Sequence, residues 1–156
     1  MRVADIPRVS VEALTEMQYL AVQEALRVQE HAYAPYSRYK VGAAVVTPLC
    51  HIFSGVNVEN HVYLVPHAEM NACAAMCAAG ERQFIVLVCA AKDNGIPCGI
   101  CLQITREWAG PDLSKTIVIG VSTEDPTYVT RCTFEEALQI TDAFGPESLG
   151  INPHEH

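Results

Sequence analysis

The stretch "FIVLVCAAKDNGIPCGICLQITREWAGPDLSKTIVIGVS", Phe84 to Ser122, decides the fold. It opens on "FIVLVCAA" and closes on "TIVIGVS", two short runs that are almost wholly apolar, as strands covered on both faces must be. Between them "CGICLQITREWAG", Cys98 to Gly110, reads as a helix, so the segment is a strand, a helix and a second strand.

Upstream, "VGAAVVT" (Val41–Thr47) and "HIFSGVNV" (His51–Val58) are short runs parted by Pro48, Leu49 and Cys50, which reads as a hairpin. The alanine-rich "HAEMNACAAMCAAG" that follows supplies a helix, with Gly80 placed to end it. From Val11 to about Glu30, Leu14, Met17, Ala21, Ala25 and Val28 recur at helical spacing; Ser10 is the expected cap, and Pro35 blocks any continuation. Downstream, "TYVTRCT" reads as a final strand, and Thr133 with Glu136 forms a capping box for a last helix over Phe134 to Ile140. Strands and helices alternating in this way predict an α/β sandwich, and with no repeat, linker or low-complexity tract the 156 residues read as one domain, 1–156.

Composition narrows the function classes. The formal charge is −8, and the ten Lys and Arg residues are scattered, which argues against a polynucleotide partner. Only 18% of residues are charged, below the roughly 25% usual for soluble domains, so part of the surface is expected to meet partner subunits. "MRVADIPRVS" has no apolar signal core, and the longest apolar run, Phe84 to Ala91, is too short for a bilayer; a cytoplasmic protein without a membrane partner is expected. Seven cysteines, an odd number, fit free thiols or metal ligands better than a disulfide framework. Cys73, Cys77 and Cys89 read as core thiols, Trp108 as packing, and His154 and His156 as a solvated tail.

Chemistry concentrates in two places. Cys98 and Cys101 carry the two-residue spacing that lets two thiolates reach one tetrahedral metal, although the same spacing also suits a redox pair or two buried thiols. His67 supplies a third ligand. His67-x-Glu69 followed some thirty residues later by Pro97-Cys98-x-x-Cys101 is the pattern of zinc deaminases, five typed positions in order. Three protein ligands would leave zinc, Zn2+, an open position for a water whose pKa it lowers. Glu69, in the first helical turn after His67, is then free to move that water's proton.

Beyond the zinc motif, "AYAPYSRYKVGAAV" (Ala32–Val45), "GVNVEN" (Gly55–Asn60) and "DAFGPESLG" (Asp142–Gly150) resemble the blocks of the cytidine deaminase family, in the same order. The resemblance spans most of the chain from Ala32 to Gly150. It implies a three-layer α/β/α sandwich around a mixed five-stranded sheet, a zinc cofactor and a homotetramer of the short-chain type. It also implies sugar contacts from Asn57 and Glu59, packing of Tyr39 on the pyrimidine, base contacts from the Ala68 N–H and the Ile96 carbonyl, and reach of Phe144 into a neighbouring subunit's site. Two departures stand out: His67 replaces a cysteine ligand of the short-chain members, and Met70 and Leu102 stand where those members carry arginines. The departures fit one another, because a neutral histidine with two thiolates already balances Zn2+ and needs no arginine nearby.

The implied reaction is hydrolytic deamination of cytidine or deoxycytidine to uridine or deoxyuridine plus ammonia, with Glu69 as the catalytic group. Three alternatives remain at this stage: a modified cytosine nucleoside such as an antibiotic, deoxycytidylate, and a zinc-containing nucleoside-binding domain without turnover.

Overall fold

In the computed structural model, residues 5–93 and 95–141 are described. In chain order the elements are β1 (Arg8–Ser10), α1 (Glu16–Gln29), β2 (Gly42–Val46), β3 (Ile52–Val56), α2 (Ala68–Ala78), β4 (Val86–Ala91), α3 (Gly99–Thr105), β5 (Ile117–Ser122), β6 (Tyr128–Thr133) and α4 (Phe134–Thr141). The strands form one sheet in the order β1-β6-β5-β4-β2-β3. Only β4 and β5 run parallel, joined by the crossover through α3, so the sheet is mixed as expected.

The period-two pattern of the apolar strands separates two cores. Ala44 and Val46 of β2, Val86, Val88 and Ala90 of β4, and Ile119 and Val121 of β5 pack on one side with Ala21, Val22 and Ala25 of α1. Their neighbours Ala43, Val45, Leu87 and Val118 pack on the other with Ala72 and Met76 of α2, Leu102 of α3, and Phe134, Ala137 and Ile140 of α4. The three-layer sandwich of the sequence reading is therefore present, with α1 alone on one face and the other three helices opposite.

Glycine lets helices sit directly on strands on both faces. A Cβ at Gly42 would meet the Ala25 carbonyl oxygen of α1 at 2.2 Å, and one at Gly55 would meet the Ala72 nitrogen of α2 at 2.4 Å.

Two expectations need correction. The sheet has six strands, not five, because Arg8–Ser10 pairs antiparallel with β6, Arg8 opposite Thr130 and Ser10 opposite Tyr128. That three-residue strand covers the backbone groups β6 would otherwise leave as a bare edge. Ser10 does not cap α1: it caps a 3-10 turn over Val11–Ala13, accepting from the Glu12 N–H at 3.3 Å. The long helix starts later, at a capping box in which Thr15 accepts from the Gln18 N–H and Gln18 accepts from the Thr15 N–H. The other box stands where it was read, with Thr133 accepting from the Glu136 N–H and the Glu136 carboxylate from the Thr133 N–H.

Candidate zinc centre and substrate pocket

Helices α2 and α3 start side by side, and each has a prospective ligand at its N-cap. His67 precedes α2 with extended backbone (φ −74°, ψ 160°) and Cys98 precedes α3 likewise (φ −66°, ψ 163°); neither side chain caps its own helix. Both are thereby free to turn toward each other, and Cys101, one turn into α3, completes the group. The His67 Nδ1 lies 3.4 Å from the Cys98 sulfur and 3.2 Å from the Cys101 sulfur, and the three donor atoms all fall within 4.8 Å of one another. Tetrahedral zinc with ordinary bond lengths sets its N and S ligands about 3.5 Å apart, so this donor set fits zinc. Among the described residues it is the one such group of three.

The two thiols behave as a coupled pair. Cys98 titrates low, at about 5, because the Cys101 thiol donates to it, with help from the Cys101 N–H and from His67. Cys101, the donor, is pushed up by that same bond and by burial.

Glu69 stands at the foot of the site. It is only 3% exposed, and its Oε2 lies 3.2 Å from the Cys101 sulfur. Burial pushes its carboxyl above the usual carboxylate range, against the opposing pull of its own backbone N–H and the Cys101 thiol. A carboxyl so placed beside a metal group is suited to exchanging protons.

A cavity of about 340 Å³ opens above it, lined by Tyr39, Asn57, Glu59, Ala68, Ile96 and the metal-side groups His67, Glu69 and Cys98. All the described substrate-facing candidates of the sequence reading thus line one pocket. Phe144 lies outside the described residues. Among the described residues no Lys or Arg lines the cavity.

Asn57 and Glu59 serve the pocket wall as well as its interior. The Asn57 carboxamide spans two backbone groups, its Oδ1 accepting from the Val41 N–H at 2.8 Å and its Nδ2 donating to the Tyr39 carbonyl at 2.8 Å. The Glu59 carboxylate accepts from the N–H groups of Tyr36 and Ser37. The Ser37 hydroxyl, followed by these two N–H groups, holds the Glu59 carboxyl below its usual range. Each side chain retains hydrogen-bonding capacity, since an amide has two N–H donors and a carboxylate about four acceptor positions.

Two residues do more than the sequence reading assigned them. Cys89 is buried, as read there, and also lines the pocket beside Glu69, where burial and the nearby carboxylate push its thiol well up. Its place two residues after Leu87 on β4, and so on the same strand face, was the available signal. Asp93, which nothing in the sequence singles out, accepts the hydroxyl of Tyr39. Cys73 is buried and Trp108 packs against the core, as read.

A family profile described as "Cytidine and deoxycytidylate deaminase zinc-binding region" matches residues 15–119. The chain belongs to this zinc-binding deaminase family. A Dictyostelium discoideum protein described as "Probable cytidine deaminase" is 40% identical over 91 residues, covering 56% of this chain and 62% of its own. A cytidine deaminase of Sporosarcina psychrophila is 36% identical over 90 residues, covering 56% of this chain and 66% of its own. The chain thus spans a little under two thirds of the length of these relatives. Among solved structures, the cytidine deaminase of Burkholderia pseudomallei superposes with a TM-score of 0.68 at 33% identity, covering 79% of this chain and 95% of that one. That of Mycobacterium tuberculosis gives 0.65 at 28% identity, covering 85% and 99%.

Proposed function

We propose that the protein is a hydrolase that deaminates cytidine or deoxycytidine to uridine or deoxyuridine plus ammonia. The observation that carries this reading is the buried Glu69 carboxyl set against the His67–Cys98–Cys101 group at the foot of a pocket that, among the described residues, is lined by no Lys or Arg.

His67, Cys98 and Cys101 would hold the zinc, which when bound would supply Lewis-acid activation of a water molecule. Glu69 accepts one proton of that water as the water oxygen bonds to C4 and delivers it to N3 of the cytosine ring. It then takes the remaining proton from the new C4 oxygen and hands it to the amino group, which leaves as ammonia as the C4–N bond breaks and C4=O forms, so that Glu69 returns to its starting state. Its raised pKa favours this shuttle, because burial disfavours the charged carboxylate and makes it a stronger proton acceptor than an exposed one. The Ala68 N–H, in the first turn of α2 where helical N–H groups lack an i−4 partner, is offered to O2 of the base. The Ile96 carbonyl is offered to the amino group, and the Tyr39 ring packs on the pyrimidine. Asn57 and Glu59 receive the sugar hydroxyls.

The electrostatics of the lining favour a nucleoside over deoxycytidylate. A 5′-phosphate binds where Arg, Lys or a cluster of N–H groups can meet it, whereas here the sugar end carries the ionised Glu59.

A homotetramer in the cytoplasm completes the proposal. The low charged fraction supports the assembly, as does a run of exposed apolar side chains beside the pocket: Val62 is 58% exposed, Tyr63 75% and Leu64 78%. Among the described residues no helix is long and apolar enough to cross a membrane.

The test is the Glu69→Gln variant, assayed for zinc content and for ammonia release from cytidine, deoxycytidine and their monophosphates. The expected result is about one zinc per chain with turnover reduced at least about 10²–10⁴-fold. Undiminished turnover would remove Glu69 from the mechanism, and preference for the monophosphates would shift the substrate to deoxycytidylate.

A further inference from the structure

The pocket is walled by two segments that come from opposite sides of the sheet edge. One is the connection from α1 to β2, residues 34–41, which carries Tyr39; the other is the connection from β4 to α3, residues 92–98, which carries Ile96 and Cys98. From below, the first segment is pinned at several points: Glu59 holds the N–H groups of Tyr36 and Ser37, Asn57 holds the Tyr39 carbonyl and the Val41 N–H, and the Ser37 hydroxyl accepts from the Tyr39 N–H. Among its described residues the second segment is held at its start, where the Ser122 hydroxyl donates to the Lys92 carbonyl at 2.8 Å, and by the turn from the Gly95 N–H to the Asp93 carbonyl at 2.7 Å; Asp93 itself is exposed.

Among the described residues the two walls are joined by a side-chain hydrogen bond in which the Tyr39 hydroxyl donates to Asp93 Oδ1 across 54 residues of sequence. We propose that Tyr39 and Asp93 are a positioning pair that ties the Ile96-bearing loop to the rigid Tyr39-bearing loop and so fixes the width of the slot for the flat base. The assignment rests on the deaminase reading only for the identity of what enters the slot.

Tyr39 divides two tasks within a single side chain. The Tyr39 ring lines the pocket, while its hydroxyl is spent outside the pocket on Asp93; a phenylalanine at this position would pack against a base equally well but would leave the second wall untied. Burial and the neighbouring Asp93 carboxylate both raise the phenol's pKa, so it remains a donor throughout the physiological range. The bond is charge-assisted, the stronger kind of hydrogen bond. Tyr39 meets the base through its ring, which Tyr39→Phe keeps, so the effect of losing the hydroxyl or Asp93 runs through the placement of Ile96.

The experiment uses the zinc-loaded full chain and compares wild type with Tyr39→Phe, Asp93→Ala, Asp93→Asn and the Tyr39→Phe/Asp93→Ala double variant. Hydrogen–deuterium exchange over residues 92–98 should quicken about 2–10-fold in each of Tyr39→Phe and Asp93→Ala, and KM for cytidine should rise by a similar factor with kcat changing less. The double variant should be no worse than either single one, and Asp93→Asn, which keeps an acceptor oxygen, should recover most of the loss. Unchanged exchange in Tyr39→Phe, strictly additive effects in the double variant, or quickened exchange with KM untouched each overturn the proposal. If zinc-loaded wild type releases no ammonia from cytidine, the substrate reading fails on that control alone, while the exchange measurement still decides whether the tie exists.

Discussion

The two faces of the sheet use the same strands for opposite purposes. Toward α1, the side chains from β2, β4 and β5 are apolar throughout, packed on Ala21, Val22 and Ala25. Toward α2 and α3 the same strands begin with an equally apolar core at Val45, Leu87 and Val118, but this layer ends at Cys89, Glu69, His67 and the two metal-side cysteines. One face is a scaffold whose value lies in burial; the other gives up part of its burial to hold a desolvated carboxyl and a donor set for zinc. Activity and stability should therefore be separable by face.

Removing the metal gives the largest expected effect and the sharpest version of this contrast. Dialysis against a chelator should abolish ammonia release from cytidine, and zinc should restore it. Far-UV circular dichroism should change little, because both apolar cores stand without the ligand group. Collapse of the fold on zinc removal would instead make the metal a staple, as in small domains that fold only around it.

Next in size is the reverse experiment on the scaffold face. Ile119 is fully buried on β5 against the α1 layer, and Ile119→Ala should cost about 2–5 kcal/mol in denaturant unfolding. Zinc content and kcat/KM of the folded protein should remain those of wild type. A changed KM would mean that the α1 face also sets the pocket, and the division between the faces would fail.

The same division explains what could be read from the sequence. The strands β2 to β6, the two helices that open on His67 and Cys98, and the ligand set were all legible because each depends on local period or on residues with few other uses. Three features were not legible. The strand at Arg8–Ser10 is too short to carry a period and exists because β6 offers it an edge. Asp93 and Cys89 acquire their places only once β4 is set beside α2 and the 34–41 loop. Both depend on contacts between segments far apart in sequence, which no local pattern records. The α1 start at Thr15 is a local signal, but it was hidden by an equally good cap at Ser10, which the chain spends on a single 3-10 turn.

The smallest expected effect compares the helix caps of the two faces. On the scaffold face α1 is closed by Thr15 and Gln18, a neutral box; on the site-bearing face α4 is closed by Thr133 and Glu136, a box that contains a carboxylate. Either Thr15→Ala or Thr133→Ala should cost about 1 kcal/mol near neutral pH. Acid should tell them apart. The Thr133 N–H, then its hydroxyl, holds the Glu136 carboxyl below its usual range, so its folded pKa lies under the unfolded one. The stabilisation is therefore complete above the ordinary carboxylate range and is lost as pH falls through the lowered folded value. Unfolding measured from pH 7 down to pH 3 should show the difference between wild type and Glu136→Gln shrinking as the acid limit is approached, whereas the difference between wild type and Gln18→Ala stays level. A level difference for Glu136→Gln would mean that the ionised carboxylate adds nothing over a neutral acceptor, and the two caps would then be equivalent devices on unlike faces.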